Sequence, residues 1–150
     1  MRIEEEIKQT KPFANPQTKA VVNLNFTASW LSGVQAEMLK PYGISIQQYN
    51  ILRILKGMNP KPATVKILIE RMIDKNSNAS RLVDKLLKKG LLERNACSRD
   101  RRRVDVMITE AGLEMVSVVS KGMKKNEIFM NLTNEEANQL SDLLDKLRSA

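Results

Sequence analysis

Apolar side chains recur every three or four positions between about Thr18 and Leu39, at Val21, Leu24, Ala28, Leu31, Val34 and Met38. That spacing predicts a long amphipathic first helix. Pro41-Tyr42-Gly43 ends it, and Ser45 is placed to cap a second helix carrying Tyr49, Leu52 and Leu55 as far as Gly57. After Pro60 and Pro62, Thr64 can cap a short third helix with Val65, Leu68, Ile69 and Met72 facing inward. The polar run Asp74-Lys75-Asn76-Ser77-Asn78 reads as a turn, and Asn76 or Ser77 is expected to cap the next helix. Ala79, Leu82, Val83, Leu86 and Leu87 form the buried stripe of that helix, with Gly90 as its left-handed terminator. Two short helices around a polar turn make a helix-turn-helix.

Downstream the period changes to two. Leu91-Leu92-Glu93-Arg94 and Val104-Asp105-Val106-Met107-Ile108 predict two strands of a hairpin with its tip at residues 95–103. Thr109 is the expected cap of a helix running toward Asn131, with Leu113, Val116, Val119 and Met123 on one face. Thr133-Asn134-Glu135-Glu136 has capping-box spacing and opens a last helix lined by Ala137, Leu140, Leu144 and Leu147. Residues 1–14 are charged, aperiodic and contain Pro12, which predicts a loosely held arm. The fold class is therefore mostly α with a small β-hairpin, and with no repeat or long linker the chain reads as one domain over residues 1–150.

Composition narrows the chemistry. The chain has no histidine, which removes the commonest general base and most transition-metal sites. Its single cysteine, Cys97, can form neither an internal disulfide nor a zinc site by itself. No enzyme, cofactor or metal is expected. Mean hydropathy is −0.35. No apolar run approaches the roughly 20 residues that span a bilayer. The start of the chain lacks the apolar core of a signal peptide, so a cytoplasmic, reducing location is expected and no membrane partner. The net charge is +8, yet residues 71–103 alone carry +7, while residues 104–150 carry −3. A polyanion is the partner that such a concentration predicts.

Two features within that stretch carry the function. Opposite the apolar stripe of the fourth helix lie Ser77, Asn78, Arg81 and Lys85, with Ser80 close by. Short polar groups at the N-terminal end suit base edges in a major groove, and the longer cations suit phosphate or guanine. Taken alone, such a face is the ordinary solvated side of an amphipathic helix. The hairpin changes that reading, because Arg99-Asp100-Arg101-Arg102-Arg103 sets four arginines in five residues at a tip that cannot bury them. Arginine suits phosphate and a narrow minor groove. Asp100 can pair with one arginine and aim it, which a purely electrostatic tail would not need.

Residues 45–112 resemble the MarR family, the multiple-antibiotic-resistance regulators with a winged helix-turn-helix. The resemblance is carried by Ser80-Arg81-Leu82-Val83-Asp84-Lys85-Leu86, by Lys89-Gly90-Leu91-Leu92-Glu93-Arg94, and by Asp100-Arg101-Arg102-Arg103-Val104 running on to Ile108-Thr109-Glu110-Ala111-Gly112. The last is the most specific: Asp, any residue, Arg, five residues, an aliphatic, Thr, then Gly three further on. The resemblance implies that Arg102 enters the minor groove and that Asp100 orients it. It implies a DNA-binding part at residues 45–109, flanked by dimerisation helices at 16–40 and 110–150. It also implies an inverted-repeat operator of double-stranded DNA, a homodimer, and a small-molecule effector held between the helices. Leu140, Leu143, Leu144 and Leu147 give the last helix more apolar surface than a one-sided surface helix needs, in keeping with burial against a second copy.

No metal cluster or Gly-rich loop marks an effector pocket; Trp30, Tyr42, Tyr49 and the methionines are read as core. Cys97 has basic neighbours in Arg94 and Arg99 but is read as incidental. The expected function is a ligand-responsive repressor. The alternative is a winged-helix module that binds protein partners, or DNA without sequence preference.

Overall fold

The computed structural model describes residues 1–96, 104–125 and 131–149. Ile3–Glu6 form a single helical turn, α1, and Pro16–Leu39 the long helix α2, started by Asn15, whose Oδ1 accepts from Thr18 N at 2.8 Å. The chain tightens into a 3-10 turn at Lys40–Tyr42 and reverses at Gly43, whose φ of 64° is open to glycine without strain. Helix α3, Ile46–Met58, begins with the capping box of Ser45 and Gln48. Strand β1 (Ala63–Thr64), α4 (Val65–Arg71) and α5 (Ala79–Lys88) follow, with Thr64 capping α4 through Ile67 N at 3.2 Å. Strands β2 (Leu92–Ala96) and β3 (Val104–Ile108) lead into α6 (Glu110–Lys125) and α7 (Asn134–Arg148).

The sheet is antiparallel in the order β1-β3-β2. Leu92 pairs with Ile108 and Arg94 with Val106 across the hairpin, and Ala63 pairs with Val106 from the other side. This is a mostly helical winged helix-turn-helix, α4 and α5 being the helix pair and β2-β3 the wing. One core serves all of it: Leu39, Ile51, Leu52, Leu55, Leu68, Leu86, Val106, Val116 and Val119 are fully buried. Each such side chain contributes roughly 1.5–3 kcal/mol by leaving water. Helix α3 supplies the centre, and Tyr49 fastens it to α6 by a 2.9 Å hydrogen bond between its hydroxyl and Ser120 Oγ.

Several expectations are corrected. The N-terminal arm is not loose at its start: Ile3 is buried, and Glu4 pairs with Lys19 of α2 at 2.5 Å. The extra strand β1 has two residues, too few to show a period. Strand β2 runs two residues beyond Arg94, so Asn95 and Ala96 belong to the strand and not to the tip. Ile69, expected inside, is exposed, because a helix of seven residues keeps only Leu68 fully buried. Trp30, read as core, is 50% exposed, and Val21 and Phe26 of the same helix are also exposed. Of the predicted face of α2, Leu24, Leu31, Val34 and Met38 are half-buried and Val21 and Ala28 exposed, while Phe26 and Trp30 lie on the other side of the helix, which nothing within one chain covers.

Helix α7 stands out further. Of its residues only Leu144 is half-buried, and Leu143 and Leu147 are 64% and 59% exposed. Its capping box does form. Glu136 Oε2 accepts from Thr133 N at 2.8 Å, and Thr133 Oγ1 accepts from Glu136 N at 3.2 Å. The backbone N–H of Thr133, and then its hydroxyl, hold the Glu136 carboxyl below its ordinary value of 4.5. A depressed carboxyl contributes stability that is complete above the unfolded value and is lost as pH falls through the folded one. Acidification below pH 4.5 should therefore fray the start of α7. Circular dichroism will show this as a helicity loss that Glu136→Gln, which keeps the box without titrating, does not share.

Candidate nucleic-acid interface

Helix α5 is ten residues long, about 15 Å, and the roughly 10–12 Å diameter of a helix matches a major groove about 12 Å wide. Ala79, Val83 and Leu86 are buried and fix its inner face, while Ser80, Arg81, Lys85 and Lys88 are exposed on the outer one. Its end is closed by a Schellman motif, with Gly90 N donating to Leu87 O at 3.0 Å and Leu91 N to Leu86 O at 3.1 Å. Gly90 carries the required left-handed φ of 68°.

The N-terminal end differs from expectation. Neither Asn76 nor Ser77 caps α5; Asn78 does, accepting from Arg81 N at 3.0 Å. The reason lies in Asp74, whose carboxylate accepts from Asn76 N at 3.0 Å and from Ser77 Oγ at 2.8 Å. The Asn76 backbone and the Ser77 hydroxyl are thereby committed to the turn, and the cap falls at Asn78. Ser77 and Asn78, predicted to face bases, thus spend their side-chain oxygens on local structure. Ser80, Arg81 and Lys85 remain as the outward groups. Among the described residues, Arg81, Lys85 and Lys88 have no ion-pair partner. Lys75 is not similarly available, because its ammonium closes the end of α4 through Ile69 O at 3.3 Å and Glu70 O at 2.6 Å.

Asp84 of α5 meets Arg94 of β2 at 3.6 Å, joining the helix to the wing. Both are well exposed, so this pair sets direction more than stability. Sequence reading missed it because the partners sit on different elements ten residues apart. Arg99, Asp100, Arg101, Arg102 and Arg103 lie outside the described residues, as does Cys97.

The Thr109-to-Gly112 end of the wing signature has a structural explanation. Thr109 Oγ1 donates to Gly90 O at 2.7 Å and accepts from Gly112 N at 3.1 Å, while Thr109 N donates to Leu91 O at 3.2 Å. One threonine therefore clasps the end of α5 to the start of α6. Gly112 packs so closely under this clasp that a Cβ would run into Leu91 O and lie 2.6 Å from Ile108 Cγ1.

Residues 44–104 match the sequence model of the MarR family, a stretch that runs from just before α3 through α4, α5 and β2 to the first residue of β3. Over this stretch the chain is similar to the MarR family. Among curated proteins it is 26% identical to the transcriptional repressor MprA of Escherichia coli (strain K12) over 147 residues, 97% of this chain and 77% of the relative. Among solved structures, the S. aureus MepR–DNA complex superposes with a TM-score of 0.77 at 20% identity, covering 87% of this chain and 96% of that one. The organohalide-sensing regulator RdhR-CbdbA1625, in its 2,4-dichlorophenol-bound form, gives a TM-score of 0.80 at 19% identity, covering 93% and 86%. Members of the MarR family, which these residues resemble, are transcription regulators and not enzymes. Among the described residues, no helix is long and apolar enough to cross a membrane.

Proposed function

We propose that this chain is a MarR-family repressor that binds an inverted-repeat operator as a homodimer and is released by a small ligand. The observation that carries the reading is the outer face of α5, where Ser80, Arg81, Lys85 and Lys88 are exposed over a fully anchored inner face. In this reading Ser80, Arg81 and Lys85 meet the major groove, Asn78 and Ser77 set the helix start beside it, and the wing residues Arg99 to Arg103 approach the adjacent minor groove and phosphates. Among the similar proteins, MepR was solved with DNA and MprA is a repressor, which supports the same role here. The protein would act in the cytoplasm, with the genome it regulates.

Surface area supports the dimer. The chain exposes 11402 Å². A compact protein of 17.0 kDa exposes about 7,700 Å². The excess is roughly 3,700 Å² per chain, and part of it on each of two chains supplies the roughly 2,000 Å² or more that permanent dimers bury. The apolar groups available are Val21, Phe26, Trp30, Leu140, Leu143 and Leu147, on α2 and α7. In this reading α2, α6 and α7 interlace with a partner's, so residues 16–40 and 110–150 are dimerisation segments around the DNA-binding part at 45–109.

A cavity of about 540 Å³ between α2, α3 and α6, lined by Leu31, Ile46, Tyr49, Arg53 and Met123 among others, has a volume suited to a small ligand. RdhR-CbdbA1625 binds 2,4-dichlorophenol, which supports a ligand-responsive reading. Selection of bound duplexes from a random pool, with sedimentation of the protein–DNA complex, tests the whole. The expected outcome is an inverted repeat bound by two chains. Recovery of no enriched sequence would overturn the operator reading in favour of unspecific binding.

A further inference from the structure

The six-residue path from Met72 to Ser77 decides where and in which direction α5 starts, and its own residues make little core. Only Met72 is buried; Ile73 is 86% exposed, and Asp74, Lys75 and Asn76 are exposed. The hydrogen-bond ladder of α4 stops at Met72, whose N–H donates to Leu68 O at 2.8 Å and whose ψ of 142° turns the backbone out of the helix. The next N–H, of Ile73, finds its acceptor outside the segment: Asn50 Oδ1 on α3, at 3.0 Å and 23 residues away. One residue on, the Asp74 carboxylate accepts from Ser77 Oγ and Asn76 N, and these bonds hold its carboxyl below the usual range. From Ser77 it is one step to Asn78, the cap of α5.

We infer that Asn50 is the positioning residue for the recognition helix. Helix α3 is the most deeply embedded element, with Gln48, Tyr49, Ile51, Leu52 and Leu55 buried, so it is a fixed reference. Asn50 projects from it and holds the turn at Ile73, next to the Asp74 carboxylate that gathers the rest of the turn. An amide side chain suits this role, since its carbonyl takes the orphan N–H that an apolar residue would leave without a partner. Gln47, Asn50, Ile73 and Asp74 also line the 540 Å³ cavity, so the latch is one of that cavity's walls. The inference rests on reading α5 as the DNA-recognition helix.

Three proteins test it: the native chain, Asn50→Leu, which keeps the size and removes the acceptor, and Asn50→Asp, which keeps an acceptor. Amide hydrogen exchange of the free proteins and affinity for the duplex recovered by selection are both measured. Asn50→Leu should raise exchange across residues 73–78 and weaken DNA binding about tenfold, the loss of roughly one hydrogen bond's worth of positioning. Its thermal midpoint should stay close to the native one, because Leu52, Leu55 and Leu86 are untouched. Asn50→Asp should restore slow exchange. Unchanged exchange in Asn50→Leu, fast exchange in Asn50→Asp, or a binding loss matched by global unfolding would each overturn the inference. If the native chain enriches no duplex, the operator reading fails, and the exchange comparison still decides the latch.

Discussion

Gly112→Ala is expected to destabilise the protein by about 2 kcal/mol, and two opposing effects give that figure. Alanine inside a helix is favoured over glycine by about 1 kcal/mol. Against this, a Cβ at Gly112 would collide with Leu91 O and sit 2.6 Å from Ile108 Cγ1, and overpacking against backbone costs about 3 kcal/mol. Leu91 O cannot retreat freely, because it accepts from Thr109 N and so belongs to the clasp between α5 and α6. Steric cost wins over propensity. At fixed protein concentration the thermal midpoint should fall by about 6 °C. Gly57→Ala is the control: nothing lies within 4 Å of its Cβ position, so the same substitution should raise the midpoint slightly. A midpoint unchanged by Gly112→Ala would show that the clasp yields.

Arg102→Ala should have the larger effect on function while leaving the fold intact. An arginine aimed into a minor groove contributes about 1–3 kcal/mol, so operator affinity should drop roughly tenfold or more at physiological salt. If Asp100 aims that arginine, Asp100→Ala should reproduce a good part of the loss although it removes a negative charge from a DNA-facing loop. Charge alone predicts the opposite sign for Asp100→Ala, tighter binding, so a binding titration at two salt concentrations separates a directed contact from an electrostatic one. Unchanged affinity in Arg102→Ala would sink the wing reading.

Much of the fold is local and was therefore legible. Helices α2, α3, α5, α6 and α7 announce themselves by period, and the caps at Ser45, Thr64, Thr109 and Thr133 by residue type, because a cap is a contact across three residues. The outward trio Ser80, Arg81 and Lys85 followed from the same period. What stayed hidden depends on partners distant in sequence. Nothing in Asp74-Lys75-Asn76-Ser77 says that Asp74 will hold both candidate caps, or that Asn50 will take the Ile73 N–H from 23 residues away. Nor does a two-residue strand such as Ala63–Thr64 carry a period to read.

By itself, then, the sequence determined the order and type of the main elements, the concentration of positive charge between residues 71 and 103, and the family motif that ends in Thr109 and Gly112. Periodicity and capping are short-range physics, and charge needs only counting. Tertiary structure decided the rest. It moved the start of α5 to Asn78, showed that the Thr109–Gly112 half of the motif is a clasp between helices, and exposed the faces of α2 and α7 that one chain leaves uncovered. Those outcomes turn on which groups meet after the chain has folded back on itself, and pairing of that kind leaves no local trace.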